Sequence, residues 1–163
     1  MKVELENVKP MEIEKRSFEI ITEELKEQGI VLPEETEWIT KRCSHTSADF
    51  DYARNLVYSE HAVEKALDAL RKGATIVTDT QMARAGINKK SLARFGGEVK
   101  CFMSDEDVAE RAKKNGTTRA VASMDKAADL EGPVIFAIGN APTALVRIYE
   151  LVQEGRLHPE LII

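Results

Sequence analysis

The sequence predicts an α/β fold of three layers, α/β/α, with a mainly parallel sheet and two helices preceding the alternating part. Three observations predict it. Two segments near the start carry apolar residues at helical spacing, with no strand between them. From residue 74 onward, short β-branched runs alternate with amphipathic segments, the pattern of βαβ units. Glycines stand where the amphipathic segments should stop, as at Gly29, Gly73 and Asn115-Gly116.

The elements follow in order. Residues 10–28 read as a helix: Met11, Phe18, Ile21 and Leu25 share one stripe, and Pro10 suits the first turn. Pro33 opens a second helix, whose first turn holds Glu34, Glu35 and Glu37 against the positive helix end. It runs through Trp38 and Ile39 toward His45. Residues 59–72 make the clearest helix, with Ala62, Val63, Ala66, Leu67 and Leu70 as its expected buried stripe. Ala74-Thr75-Ile76-Val77-Thr78 reads as a buried strand, followed by helical turns over 80–95 with Asn88 as a cap. Residues 98–103 read as the next strand, and Ser104-Asp105-Glu106-Asp107 as a capping box opening a helix. Thr117 or Thr118 opens another helix through Leu130. Residues 133–138 form a strand, Gly139-Asn140 a tight turn, and residues 142–154 a helix. Leu161-Ile162-Ile163 begins a last strand. In such a sheet, helices cover both faces.

A chain of 163 residues fits one domain, and its 43% apolar and 31% charged residues are ordinary for a globular protein. A net charge of −5 with scattered acids argues against a nucleic-acid binder, which needs a basic surface to neutralise phosphates. Two cysteines in unrelated settings, Cys43 and Cys101, suggest reduced thiols. Met1-Lys2-Val3-Glu4-Leu5-Glu6 lacks the apolar stretch of a signal peptide, and no run is long enough to span a bilayer. A cytoplasmic protein without membrane partners is expected.

Ligands of parallel α/β sheets bind beyond the carboxyl ends of the strands. Three loops fall there: Thr78-Asp79-Thr80-Gln81-Met82, Ser104-Asp105, and Gly139-Asn140-Ala141-Pro142-Thr143. The third runs into a helix, so its backbone N–H groups offer a seat for a carboxylate or phosphate. Each also reads simply as capping and turn chemistry. Arg119, following Gly116-Thr117-Thr118, is the best-placed cation for a ligand; Arg16, Arg42, Lys89, Lys90 and Arg147 read mainly as surface charges. The sequence carries no G-x-G-x-x-G, P-loop, H-E-x-x-H or G-x-S-x-G motif.

Among the three histidines, His45 lies in the segment Arg42-Cys43-Ser44-His45-Thr46-Ser47-Ala48-Asp49-Phe50-Asp51, near Asp49 and Asp51. An imidazole titrates near neutral pH and can pass a proton. It equally suits a helix C-terminus, where it offsets the dipole. Cys43 and His45, two residues apart on a helix, point about 200° from each other and do not pair.

Taken together, Arg42 through Asp51, Thr78 through Ile87, Phe95-Gly96-Gly97, Gly116 through Arg119, and Phe136 through Leu145 resemble the precorrin-8X methylmutase family. The resemblance runs from about Arg16 to the C-terminus and keeps the order of the motifs. It implies an isomerase of cobalamin biosynthesis that moves a methyl group from C11 to C12 of the corrin macrocycle. The shift is intramolecular and needs no cofactor; cobalt enters only as part of the substrate. The product would be hydrogenobyrinate, or cobyrinate when cobalt is present. The family's catalytic histidine falls on His45, as proton donor to the ring, and its substrate-contacting serine on Ser17. Arg16, Asp49, Thr80, Met82, Arg119, Asn140, Ala141 and Thr143 are expected to bind the carboxylate-rich macrocycle. The resemblance also implies a homodimer, and family members that continue beyond Ile163. On that basis residues 1–163 would be a single domain lacking its C-terminal part. A corrinoid-binding protein without turnover is the alternative reading.

Overall fold

The computed structural model describes residues 9–163; the expected leaderless start, residues 1–6, and the side chain of Met11 lie outside the described residues. The chain divides into two compact units, residues 1–63 and 64–163.

In the first unit a short 3-10 turn, Pro10–Glu12, leads into α1 (Ile13–Glu27). Ile21 and Leu25 are buried and Phe18 half-buried, as the stripe predicts. Helix α2 (Glu34–Ser47) starts after Pro33, as expected. Its buried line is polar: Thr36, Thr40 and Ser44 recur every fourth residue, while Trp38 and Ile39 stand exposed. Thr40 Oγ1 shares a hydrogen bond with the Tyr58 hydroxyl at 3.0 Å, and Thr36 Oγ1 donates to the Pro33 carbonyl. Such partners remove the cost of burying a hydroxyl. Helix α2 ends on Ala48 in the left-handed conformation, φ 55°, and α3 (Tyr52–Asn55) follows.

The second unit carries the sheet. Helix α4 (Ala62–Arg71) leads to β1 (Thr75–Thr78). Then come α5 (Gln81–Gly86), α6 (Lys89–Leu92), β2 (Val99–Lys100), α7 (Glu106–Asn115) and α8 (Arg119–Ala127). The chain closes with β3 (Val134–Ala137), α9 (Pro142–Gln153) and β4 (Leu161–Ile162). The sheet order is β2-β1-β3-β4 and every pair is parallel. Ile76 pairs with Ile135 and Val77 with Phe136, so successive residues of β1 and β3 face opposite layers. On one face Val77, Val134 and Phe136 pack against Ala120, Met124 and Ala127 of α8 and Ala144, Ile148 and Leu151 of α9. On the other, Ile76 and Ile135 pack with Ala69 and Leu70 of α4. These are the expected three layers.

Three expectations change in detail. Leu67 is 46% exposed, because the core-facing line of α4 runs through Ala66, Ala69 and Leu70, and Leu67 falls beside it. Strand β2 is two residues long rather than six. It lies at the sheet edge, where pairing on one side alone gives the ladder less to hold. The capping box at Ser104–Asp107 does not form. Asp105 and Asp107 instead bind Lys126 of α8, at 2.6 and 2.8 Å, and Ser104 Oγ accepts from Gln81. A charge-assisted bond to an ammonium outcompetes a bond to a backbone N–H.

That ion tie makes a pH prediction. Hydrogen bonding to Lys126 holds the Asp107 carboxyl below its ordinary 3.8. Its bonds to Asp105 and then Asp107, which accept, hold the Lys126 ammonium above its ordinary 10.5. The depressed acid contributes fully above 3.8 and is lost as pH falls through its lower folded value. The raised lysine contributes below 10.5 and is lost as pH rises through its higher one. Lys126→Met should therefore lower the Tm at neutral pH, with the difference from the parent shrinking toward about pH 2 and in high salt. A difference that persists at acid pH would mean that the ammonium acts through the Phe102 ring, whose centre lies 5.3 Å from Lys126 Nζ, and not only through the aspartates.

Helix α8 is capped by Thr118, whose Oγ1 accepts from Val121 N at 3.2 Å. Thr118→Ala should cost about 1 kcal/mol in urea denaturation.

Candidate functional site

In the first unit, His45 sits half-buried in the last turn of α2. Its ring lies 5.7 Å from the Phe18 ring of α1, tilted by 38°. Phe18 in turn stacks on Trp38 at 4.7 Å. The Arg42 guanidinium lies 4.9 Å from the Phe18 ring centre and 5.2 Å from that of Trp38. Its other side donates to Glu14 Oε1 at 2.8 Å. The periodicity explains this grouping: Trp38, Arg42 and His45 follow at i, i+4 and i+7, along one face of α2. The bond to Glu14 holds Arg42 above its ordinary range, so it is a fixed cation. Arg42 chiefly holds Glu14 below the usual carboxylate range, and the His45 charge adds to this.

Glu14 is thus a carboxylate that interacts electrically with His45. The sequence points to Asp49 and Asp51 for that part, but both have other work. Asp49 Oδ1 accepts from Asp51 N at 2.8 Å, closing the turn after α2, and Asp51 pairs with Arg54. Ser17 is half-buried on α1 beside Phe18, and Arg16 pairs with Glu19 at 3.5 Å. A groove of about 390 Å³ opens between Phe18, Trp38, Lys15 and Lys41. A second, of about 530 Å³, opens where Phe18 and Trp38 meet Pro10 and Glu14. Both are aromatic-walled and of ligand-binding size. Sequence reasoning assigned no part to Trp38 and left Arg42 among the surface charges. Their spacing four apart on one helix was the available signal.

In the second unit, the sheet changes direction between β1 and β3: the chain leaves β1 for β2 on one side and returns to β3 on the other. This is the switch point at which open parallel sheets take ligands. The loops after these two strands are the ones singled out from the sequence. Thr80 caps α5, accepting from Ala83 N at 3.1 Å, and Met82 is 84% exposed. Asn140 and Thr143 are exposed, and Ala141 is half-buried. Thr143 Oγ1 meets Thr118 Oγ1 at 3.4 Å, joining the starts of α9 and α8. Arg119, first residue of α8, stands exposed next to that pair.

The turn differs from the expected open anion seat in one respect. The N–H groups of Gly139, Asn140 and Ala141 all donate to the carboxylate of Asp79, at 3.2, 2.7 and 2.7 Å. Asp79 is 2% exposed. The donors that sequence reasoning offered to a ligand carboxylate at Asn140 and Ala141 are filled by the protein's own. What the turn presents outward is side chains: Asn140, and the paired hydroxyls of Thr143 and Thr118.

A parallel sheet with a switch-point turn beyond its strands defines an α/β fold of the kind that takes ligands at that end. Residues 12–163 match the precorrin-8X methylmutase family. A cobalt-precorrin-8 methylmutase of Priestia megaterium is 44% identical over 156 residues, 96% of this chain and 68% of that protein. The cobalt-precorrin-8 methylmutase of Salmonella typhimurium is 45% identical over 146 residues, 86% of this chain and 69% of that protein. The solved precorrin-8x methyl mutase of Thermus thermophilus superposes with a TM-score of 0.80 at 35% identity, covering 92% of this chain and 71% of that one. The chain belongs to the precorrin-8X methylmutase family. It is an isomerase of cobalamin biosynthesis.

Proposed function

We propose that the protein moves a methyl group from C11 to C12 of a precorrin-8 macrocycle, with His45 protonating the ring. The carrying observation is the seat of His45 within the family match: half-buried, against Phe18, with the Arg42–Glu14 pair alongside. The C11–methyl bond breaks as the C12–methyl bond forms, within one molecule, so no methyl donor takes part. Protonation draws electron density from the conjugated ring and lowers the barrier to migration, a task for a positioned general acid such as an imidazolium. The reaction calls for no cofactor, and cobalt enters only within the substrate.

Ser17, Arg16 and Asp49 in the first unit are assigned to substrate contact. So are Thr80, Met82, Arg119, Asn140, Ala141 and Thr143 in the second. Arg119 supplies a cation for the acetate and propionate groups, and Thr143 and Asn140 supply neutral donors. Ala141 contributes through its methyl and carbonyl, since its N–H is taken by Asp79. The cobalt form, giving cobyrinate, is favoured over the metal-free form, which would give hydrogenobyrinate. The relatives at 44% and 45% identity carry the cobalt name, and the solved structure at 35% does not. The protein acts as a cytoplasmic homodimer without nucleic-acid or membrane partners. Among the described residues no helix is long and apolar enough to cross a membrane.

The test is conversion of cobalt-precorrin-8, and separately precorrin-8X, followed by visible absorption. A spectral change to cobyrinate supports the proposal. Tight binding of cobyrinic acid without conversion would instead make the chain a corrinoid binder, and failure to bind either would remove the substrate assignment. Sedimentation velocity decides the dimer.

A further inference from the structure

The strongest unassigned feature lies beneath the switch-point turn. Asp79 directly follows β1, and its carboxylate reaches across to the loop after β3, sixty residues away in sequence. Buried carboxylates normally carry a cation, and here the charge is met by backbone amides instead. Backbone accounting is tight around it. The N–H of Ile138 goes to Ile163 O, those of Gly139, Asn140 and Ala141 go to Asp79, and Pro142 has none. From 138 to 142 the chain has no free donor with which to adopt another shape.

We infer that Asp79 is a positioning residue: its carboxylate fixes the Gly139–Ala141 backbone, and through it aims Asn140 and Thr143 at the corrinoid. This rests on the reading that the turn contacts substrate. The chemistry explains the residue type. A carboxylate offers two oxygens and about four lone-pair directions, all acceptors, enough for three N–H groups. An amide of the same shape offers one acceptor oxygen and turns two N–H donors toward backbone donors. A longer side chain would push the turn outward. Thr78 steadies the root of the device, its hydroxyl donating to Thr80 O at 3.0 Å, so the backbone on either side of Asp79 is held. The clasp also sets the start of α9, since Ala141 is its N-cap and Ala144 N bonds back to Ala141 O. Because Asp79 is buried and its oxygens face the turn amides, it acts through the turn and not on the macrocycle.

The experiment compares Asp79→Asn, Thr143→Ala and the parent. Readouts are the Kd of cobyrinic acid by absorption titration, the single-turnover rate of bound substrate, and hydrogen exchange at the Gly139, Asn140 and Ala141 amides. Asp79→Asn should raise Kd about tenfold, as expected for losing charge-assisted bonds that hold a binding turn. It should leave the single-turnover rate within about twofold, because proton donation is not touched. The three amides should exchange at least about tenfold faster. Thr143→Ala separates the two ideas. If it raises Kd while Asp79→Asn does not, the turn binds substrate and the positioning role is wrong. If neither raises Kd, the reading of the turn as a contact fails first. Should Asp79→Asn not fold, replacing Ala141 by lactate removes one donor and keeps the carboxylate. That ester should still raise Kd, and an unchanged Kd overturns the proposal.

Discussion

His45→Ala should abolish most turnover while leaving the protein folded and able to bind its product. A positioned general acid contributes roughly 10²–10⁴-fold, so the single-turnover rate should fall within that range. The Kd of cobyrinic acid should move by less than about threefold, since the alanine removes a proton donor and not a carboxylate contact. The fold should hold because His45 is half-buried at a helix end, and the Phe18–Trp38 stack and the Arg42–Glu14 pair form without it. Some rate should survive. Holding one reactive conformation of the ring lowers the barrier without any proton donor, and alanine leaves that part in place. Rapid-mixing absorption at saturating protein reads the rate directly. A fully active His45→Ala protein would end the assignment of His45 as the acid.

The largest loss of stability is expected at the other unit, from Phe136→Ala. Phe136 has no exposed surface and lies on β3, an inner strand bonded on one side to β1 and on the other to β4. Its ring belongs to the cluster formed by Val77, Met124, Ile148 and Leu151, all of them buried. Truncation removes the ring's transfer free energy and leaves a cavity that the sheet cannot close, because strand spacing is fixed by backbone bonds. The cost should be about 3–5 kcal/mol in urea denaturation. Leu145→Ala on the exposed side of α9 provides the contrast, at about 0.5 kcal/mol or less. A Phe136→Ala cost near that of Leu145→Ala would mean that the α8–α9 layer is not the core.

The helices were legible because their signals are local. The Ile21–Leu25 stripe, the glutamates after Pro33, the Asn88 cap and the Thr118 cap all act within one or two turns. The parallel order was legible as a class, since strands joined through helices pair in parallel. What escaped was set by distant partners. Nothing near Ser104 tells that Lys126 will take Asp105. Nothing near Asp49 tells that its carboxylate will close its own turn while Glu14, on another helix, meets Arg42 beside His45. Asp79 shows the limit most clearly. The sequence placed it in a ligand loop and placed Gly139–Thr143 in another, and each reading was reasonable alone. That one loop clasps the other depends on β1 lying next to β3, a fact of topology and not of spacing.

The same clasp bears on the order of folding. A bond between residues separated by sixty positions cannot help to bring them together; it forms once β1 and β3 have paired. Helices α5 to α8 lie in the chain between the two residues that it joins. The Gly139–Ala141 turn therefore reaches its bonded form only after the β1–β3 pair is in register. Protection of these three amides is then a measure of how far the pairing of β1 with β3 has matured.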